Sequence, residues 1–207
     1  MRAFWDAASD LLDLAWEDVP STSLRLSESG GAPEQSTAVH VCHTASALLV
    51  RFDCRDRDIW STYERRDDPV WKEEAVEVFV SLGDEDPREY FELEVSPAGV
   101  LFDALVSNPT SRREDLVADT RWDCPGIRWG ARIVTGEPRW VAALAIPWSG
   151  IGARGAPRTC RANFYRIERP RDGEAEYSAW SPTLARPADF HKPSSFGRLV
   201  LSPEEIA

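Results

Sequence analysis

Residues 75–80 read AVEVFV, and residues 90–95 read YFELEV. Both segments alternate from residue to residue. In the first segment three valines share one face, and Glu77 and Phe79 share the other. Successive side chains of a β-strand point to opposite faces of its sheet. This period of two therefore predicts two strands, with Glu92 and Glu94 on the same face as Glu77.

Further short apolar segments lie on both sides of these two strands. The chain has 15 prolines and 12 glycines, many of which lie between these segments and indicate turns. Further strands are predicted at residues 38–42, 48–52, 100–106, 130–134, 140–146, 162–168, 177–180 and 197–201. We predict a long loop over 107–125 and a short helix over 1–15. Many short strands with turn signals between them are typical of an all-β sandwich or barrel. The pattern therefore predicts one of these two all-β folds, with a short N-terminal helix.

The net charge of the chain disfavours two classes of binding partner. The 207 residues include 24 lysines and arginines against 35 aspartates and glutamates, a net charge of −11. A nucleic-acid binder needs a positive surface to displace counterions from phosphates, so this class is not expected. Anionic membrane surfaces are disfavoured for the same reason. A chain of this length buries roughly 70% of its unfolded surface, so a core needs no disulfide or metal.

The sequence also bears on the cellular location of the protein and on the state of its cysteines. No stretch approaches the length of about 18 apolar residues that spans a bilayer. Asp6, Asp10 and Asp13 interrupt the N-terminus where a secretory leader is apolar, so the chain is expected to be cytoplasmic or a trimmed, mature secreted form. The four cysteines have no CxxC spacing, which favours free or buried thiols over a zinc site.

Nine tryptophans are many for this length. Trp5 and Trp140 lie in patterns that predict core positions, whereas Trp71 and Trp180 lie at strand edges among polar residues. An indole in such a place suits a ligand with apolar faces and polar edges, as a sugar has. Ordinary packing is the simpler interpretation of each tryptophan. Glu77 can accept hydrogen bonds from two neighbouring hydroxyls, or it can lie on a solvated strand face.

Several segments in order resemble the family 9 carbohydrate-binding modules and their DOMON-like relatives. They are residues 66–71, 74–80, 90–99, 146–148, 163–168, 180–182, 190–193 and 196–197. The resemblance implies a two-sheet antiparallel β-sandwich of immunoglobulin or jelly-roll type. This carbohydrate-binding domain would span 17–201, preceded by an extension at 1–16 and followed by a tail at 202–207. It implies a saccharide or oligosaccharide as partner.

The resemblance also implies which residues bind. Two tryptophans, Trp71 and Trp180, would stack on the two faces of a sugar, and the Glu77 carboxylate would bind its hydroxyls. Three further polar side chains would lie nearby: Arg66, Glu92 and Arg166. No cofactor is required, but structural calcium occurs in the family. Residues 53–58, DCRDRD, offer closely spaced oxygen ligands for such an ion, although the arginines between them oppose a divalent cation.

Three other functions remain open. A carbohydrate-acting enzyme could use Glu77 with Glu74, or Glu92 with Glu94, as paired carboxylates. A protein-interaction module with buried tryptophans would need no ligand at all.

The third is a haem-binding DOMON-like domain, which needs methionine or histidine as axial ligand. Met1 is the single methionine, so haem would require His191 near His40 or His43. We expect His191 instead to hold a loop through hydrogen bonds.

Overall fold

Two antiparallel sheets form the protein in a computed structural model that describes residues 11–202. The smaller sheet has five strands. In spatial order they are β1 (Ser21–Ser23), β3 (Thr37–His43), β4 (Ala47–Arg55), β10 (Arg139–Pro147) and β9 (Arg128–Ile133). The predicted hairpins at 38–52 and 130–146 are the β3–β4 and β9–β10 pairs, and both are confirmed.

The larger sheet has eight strands. Seven follow one path: β2 (Arg25–Leu26), β12 (Glu176–Ala179), β11 (Thr159–Glu168), β5 (Ala75–Leu82), β6 (Glu89–Val95), β7 (Leu101–Ser107) and β8 (Val117–Asp119). The eighth, β13 (Gly197–Val200), pairs with the start of β11, and β12 pairs with its end. The predicted two-sheet β-sandwich is therefore confirmed.

The remaining elements are short. Five 3₁₀ turns are found in the described part of the chain: Trp16–Asp18, Val70–Lys72, Arg113–Asp115, Trp148–Ile151 and Pro193–Ser195. The predicted loop at 107–125 contains β8, and β1 and β2 were not predicted. These strands have two or three residues each, too few to show an alternation.

The predicted N-terminal helix lies mostly outside the described residues, as does Trp5. Leu11 and Leu12, at the start of the described range, are buried against the outer side of the smaller sheet. Among residues 11–202, no helix has both the length and the apolar character that crossing a bilayer requires.

Apolar side chains cover both faces of the larger sheet. Val76, Val78 and Val80 face the smaller sheet and form the main core with residues such as Trp140, which is fully buried as predicted. The opposite face carries a second cluster, and loops pack over it. We call this cluster the outer core; it contains Phe79, Tyr90, Phe102, Tyr165, Ile167, Phe190 and Phe196. The cysteines are free, and three of the four are buried.

Candidate functional site

The strand register brings three glutamates together on the outer face of the larger sheet. Glu77 lies directly opposite Glu94 across the β5–β6 pair, and Glu92 precedes Glu94 by two residues on the same face. One oxygen from each carboxyl lies within 4.8 Å of the others. All three side chains are buried, with 2%, 6% and 1% exposure for Glu77, Glu92 and Glu94. We call these three residues the acidic triad.

A cavity of about 550 Å³ opens above the acidic triad. This volume falls within the range of about 300–1,000 Å³ that small-molecule sites occupy. Aromatic and apolar residues share the lining with charged ones. Besides the triad, the lining residues are Trp71, Lys72, Phe102, Arg113, Leu116, Ala118, Thr120, Ile167, Arg169, Tyr177, Ala188, Asp189, Phe190 and His191.

Trp71 stands at this cavity on the 3₁₀ turn Val70–Lys72. Its ring meets the Phe102 ring edge to face, with centroids 4.6 Å apart and planes at 65°. The outer core therefore supports one side of the indole. The residue remains 37% exposed, which is unusual for a large aromatic side chain in this protein. Part of the ring is thus available to a ligand.

Burial governs the charge state of the acidic triad. It raises the pKa of Glu77 well above its ordinary value, and the nearby Glu92 raises it further. Burial and then the charges of Glu77 and Glu92 raise the pKa of Glu94 in the same way. The pKa of Glu92 rises to about 7, again chiefly through burial. Clustered acids with raised pKa values in a cleft are characteristic of functional sites.

Two arginines that line the cavity form contacts with other residues of its lining. Arg113 Nη1 lies 3.0 Å from Asp189 Oδ1, and Arg169 Nη2 donates to the Tyr177 hydroxyl over 2.8 Å. His191 Nε2 is 4.0 Å from Glu92 Oε1. Burial, followed by the charge of Arg113, lowers the pKa of His191 to about 4, so this ring is neutral near pH 7.

His191 also has the structural role that the sequence suggested. Its Nδ1 lies 2.7 Å from the Tyr90 hydroxyl, and its backbone carbonyl accepts a hydrogen bond from Asn108. These bonds attach the loop before β13 to the larger sheet. His40 and His43 lie on the smaller sheet, on β3, so the structure does not assemble the histidine pair that haem would need.

Trp180 does not meet Trp71 at the cavity, contrary to the expected arrangement. Its ring packs on Phe164, with centroids 5.5 Å apart, and contributes to the main core. The Gly197 backbone passes so close that an added Cβ would lie 2.1 Å from the indole. The two tryptophans therefore contact different cores on opposite faces of the larger sheet. Tyr177, two residues before the end of β12, is the aromatic residue of that strand at the cavity.

Arg166 and Arg66 also lie away from the cavity. The Arg166 side chain is 1% exposed; it donates to Asp56 Oδ2 over 2.9 Å and to the Arg55 carbonyl over 2.6 Å. Arg66 donates to both carboxylate oxygens of Asp103 at 2.8 Å. Each guanidinium is held by a buried aspartate, which gives both arginines a structural contact, and their role as ligand partners stays a prediction. Of the six residues predicted to bind, the structure brings Trp71, Glu77 and Glu92 to the cavity.

The three aspartates of residues 53–58, which were the expected calcium ligands, form ion pairs with different arginines. Asp53 pairs with Arg51 and Arg139, Asp56 with Arg166, and Asp58 with Arg171. Calcium needs six to eight oxygens around one point. This segment therefore does not fit the ion.

Two acidic groups besides the triad also have three carboxylates within 4.8 Å: Asp56, Glu74 and Glu168, and Asp67, Asp103 and Asp123. An arginine already contacts each of these two groups. Arg166 pairs with Asp56 in the first, and Arg66 pairs with Asp103 and Asp123 in the second. No arginine pair of this kind is found for the acidic triad within residues 11–202.

Several residues that line the cavity were not among the predicted binding residues. Glu94 shares the face of Glu77 and Glu92 by its alternation, so its presence at the cavity could have been inferred. Arg113, Asp189 and Tyr177 come from a predicted loop, another loop and a strand end. No local pattern marks them, because loops distant in sequence bring them over the sheet.

A second cavity, of about 600 Å³, offers different chemistry. Its lining includes Glu34, Arg57, Asp58 and Glu168 and contains no aromatic residue. It therefore gives no surface for stacking a ring.

Comparisons with known proteins agree with this architecture. A family model described as carbohydrate-binding family 9 matches residues 10–201. An extracellular protein of Arthroderma benhamiae is 26% identical over 179 residues, which are 81% of this chain and 79% of that protein.

Solved structures share the fold at low identity. A candidate carbohydrate-binding protein of Bacteroides uniformis has a TM-score of 0.75 and 19% identity, covering 94% of this chain and 90% of that one. A carbohydrate-binding module of family 9 from Caldicellulosiruptor kristjanssonii has been solved with glucose (TM-score 0.65) and with cellotriose (0.67). Each of the latter is 12% identical and covers 94% of this chain, with 90% and 88% of the other chain covered.

Proposed function

The chain belongs to carbohydrate-binding family 9, and from that premise we propose that it is a non-catalytic module that binds a saccharide in the cavity beside Trp71. The relatives from Caldicellulosiruptor kristjanssonii hold glucose and cellotriose, which supports a sugar as the ligand class. The observation that carries the proposal is a part-exposed indole beside three buried carboxyls in one cavity.

The two kinds of group suit the two sides of a sugar. A pyranose ring has apolar C–H faces, which stack on an aromatic plane, and polar edges. Trp71 supplies such a plane, and Tyr177 supplies another aromatic side chain in the same cavity. The hydroxyls at the ring edge can donate to the oxygens of Glu77 and Glu92. One stacking surface and a few hydrogen bonds correspond to binding of about −4 to −8 kcal/mol, or millimolar to micromolar affinity.

Isothermal titration calorimetry with glucose and cellotriose tests the proposal. We expect weak binding by the wild type and at least a tenfold loss in Trp71→Ala, because the stacking surface is removed. Trp122→Ala is the matched control, since this half-buried indole packs on Phe91 and does not line the cavity. An equal loss in both variants, or full binding by Trp71→Ala, would contradict the site.

A hydrolysis assay separates binding from catalysis. Wild-type protein is incubated with cello-oligosaccharides, and released reducing ends are measured. We expect no turnover. Turnover that Glu77→Gln abolishes would contradict a non-catalytic role and favour the enzyme alternative.

A further inference from the structure

We propose that the saccharide bound beside Trp71 carries a primary ammonium group, and that the acidic triad of Glu77, Glu92 and Glu94 receives this group. The ligand class is then an amino sugar of the hexosamine type. This inference rests on the proposed function and refines it, since it concerns which sugar the same cavity accepts.

The first observation is a cluster of ionisable carboxyls without a cationic partner. Three carboxyls lie together in a buried position, yet no lysine or arginine of residues 11–202 forms an ion pair with any of them. Arg113 and Arg169, which line the cavity, bind Asp189 and the Tyr177 hydroxyl instead. Lys72 also lines the cavity, but it is exposed and forms no ion pair with the triad. Buried like charges are unfavourable unless they are protonated or meet a cation. A cationic ligand group would supply what the protein itself lacks here.

The second observation is an oxygen with no partner. Glu94 Oε2 is buried and accepts no hydrogen bond, although Glu94 lines the cavity. Buried polar atoms in proteins nearly always have a partner, and one without a partner calls for an explanation. A donor on the ligand would satisfy this oxygen.

The third observation is the spacing of the acceptors. An ammonium nitrogen has three donors, whereas a hydroxyl has one. Hydrogen bonds from a cationic nitrogen to a carboxylate are about 2.8 Å long, so three acceptors around one tetrahedral nitrogen lie about 4.6 Å apart. The three triad oxygens lie within 4.8 Å of one another. This limit is compatible with one ammonium group that contacts all three carboxyls.

A divalent metal fits this position less well. Calcium takes six to eight oxygens at about 2.3–2.6 Å, a number that three carboxyls reach only if all six of their oxygens bind. Some of the surrounding lining is polar, as at Asp189, and the rest is apolar, as at Phe102, or basic, as at Lys72 and Arg169, which disfavours a divalent cation. An amino sugar combines a single charge with a ring face for Trp71.

A panel of three sugars tests the inference on the wild-type protein. Glucosamine, N-acetylglucosamine and glucose are titrated by calorimetry at pH 6.5, in the presence of EDTA. We expect glucosamine to bind at least tenfold more tightly than the other two, because the free amine alone is charged. Binding is also measured in two buffers that differ in ionisation enthalpy. We expect glucosamine to release about one proton from the triad, and neutral sugars to release none.

Two variants locate the effect. Glu94→Gln should abolish the preference for glucosamine over glucose, because it removes one of the carboxyls that can ionise against the ammonium. Glu89→Gln is the matched control on the same strand; Glu89 is exposed and does not line the cavity, so the preference should persist. The comparison of sugars on wild-type protein requires neither variant to fold.

The outcomes distinguish the two proposals. Equal affinity for glucose and glucosamine, with loss of both in Trp71→Ala, would overturn the amino-sugar inference and leave the proposed function standing. Binding of no sugar would overturn both. Methylammonium binding as tightly as glucosamine would overturn the sugar part of the inference. Binding that is absent in EDTA and restored by calcium would assign the triad to a metal and overturn the inference.

Discussion

Glu77 and Glu94 illustrate how a single residue pair can oppose the stability of its own sheet. They lie directly opposite each other across two strands, where like charges destabilise the pair. The raised pKa values of both groups show how the fold accommodates them, since a shared proton reduces the repulsion. Local conflicts of this kind are expected at functional sites.

Glu74 offers a test of buried acid chemistry away from the cavity. Burial, together with the neighbouring Asp56, raises its pKa to about 10 from 4.5. Its folded pKa lies above its unfolded one, so its stabilising contribution is complete below pH 4.5 and declines as the pH rises towards 10. At pH 7 this decline amounts to about 3 kcal/mol.

We therefore expect Glu74→Gln, which is neutral at every pH, to raise the free energy of unfolding by about 1–3 kcal/mol at pH 7. The gain should grow from pH 5 to pH 9. Urea denaturation across that range measures it, with Glu89→Gln as the exposed control. A variant with the same pH dependence as the wild type would show that Glu74 is not protonated in the folded state.

A variant of Arg166 separates a structural role from the predicted role in ligand binding. Its guanidinium balances the buried Asp56, so Arg166→Met leaves that charge without its partner. We expect a loss of about 3–5 kcal/mol in the free energy of unfolding by urea. Arg198→Met is the control, because its pair with Asp84 is exposed to solvent and should contribute little to stability. Normal stability with a specific loss of sugar binding would restore Arg166 as a ligand residue.

Strand β11 shows how one element is shared between partners. Its outer edge binds β13 over its first half and β12 over its second, and Trp180 follows β12 directly. The indole then crosses over Gly197 at the start of β13. The junction of the two edge strands thus depends on the absence of a side chain at one position.

Gly197→Ala tests this junction. A Cβ would overlap the Trp180 ring, so the ring or β13 must shift, at a cost of about 1–3 kcal/mol. Thermal denaturation and tryptophan fluorescence measure the change. Gly155→Ala is the control, since the nearest atom to its added Cβ is 3.7 Å away. Equal melting temperatures for the two variants would contradict this packing.

In the molecule as a whole, the larger sheet is covered on both faces, by the smaller sheet and by loops. The loop cover explains why a face with alternating glutamates is buried. It also leaves the cavity, because the loops that carry Trp71, Leu116 and Phe190 do not close completely over the triad. The larger sheet is thus buried on both faces: the main core joins it to the smaller sheet, and the outer core supports the cavity.

The arginines that contact the acidic groups allow a prediction about calcium binding by the whole protein. Arg66 and Arg166 occupy two of the three acidic groups that could hold a metal. We therefore expect the melting temperature to be the same in calcium and in EDTA. A rise in calcium that Glu94→Gln removes would place an ion at the acidic triad, and a rise that persists would place it at one of the arginine-paired groups.

Much of the fold could be predicted because strand alternation is a local property. The direction of a side chain follows from its place along the strand, so the common face of Glu77, Glu92 and Glu94 was already present in the order of residues. The same alternation separated the three core valines from Phe79. The resemblance to a known family then indicated the sandwich and Trp71.

Burial and partnership could not be predicted in this way, because they depend on segments far apart in the chain. Alternation placed Glu77 on an outer face but did not show that the loops near 70, 116 and 190 cover it. Trp180 lies at a strand edge among polar residues, yet the approach of Gly197 places it in the main core. The sequence does not show that Asp56 is the partner of Arg166, because the packing of the two sheets brings these residues together.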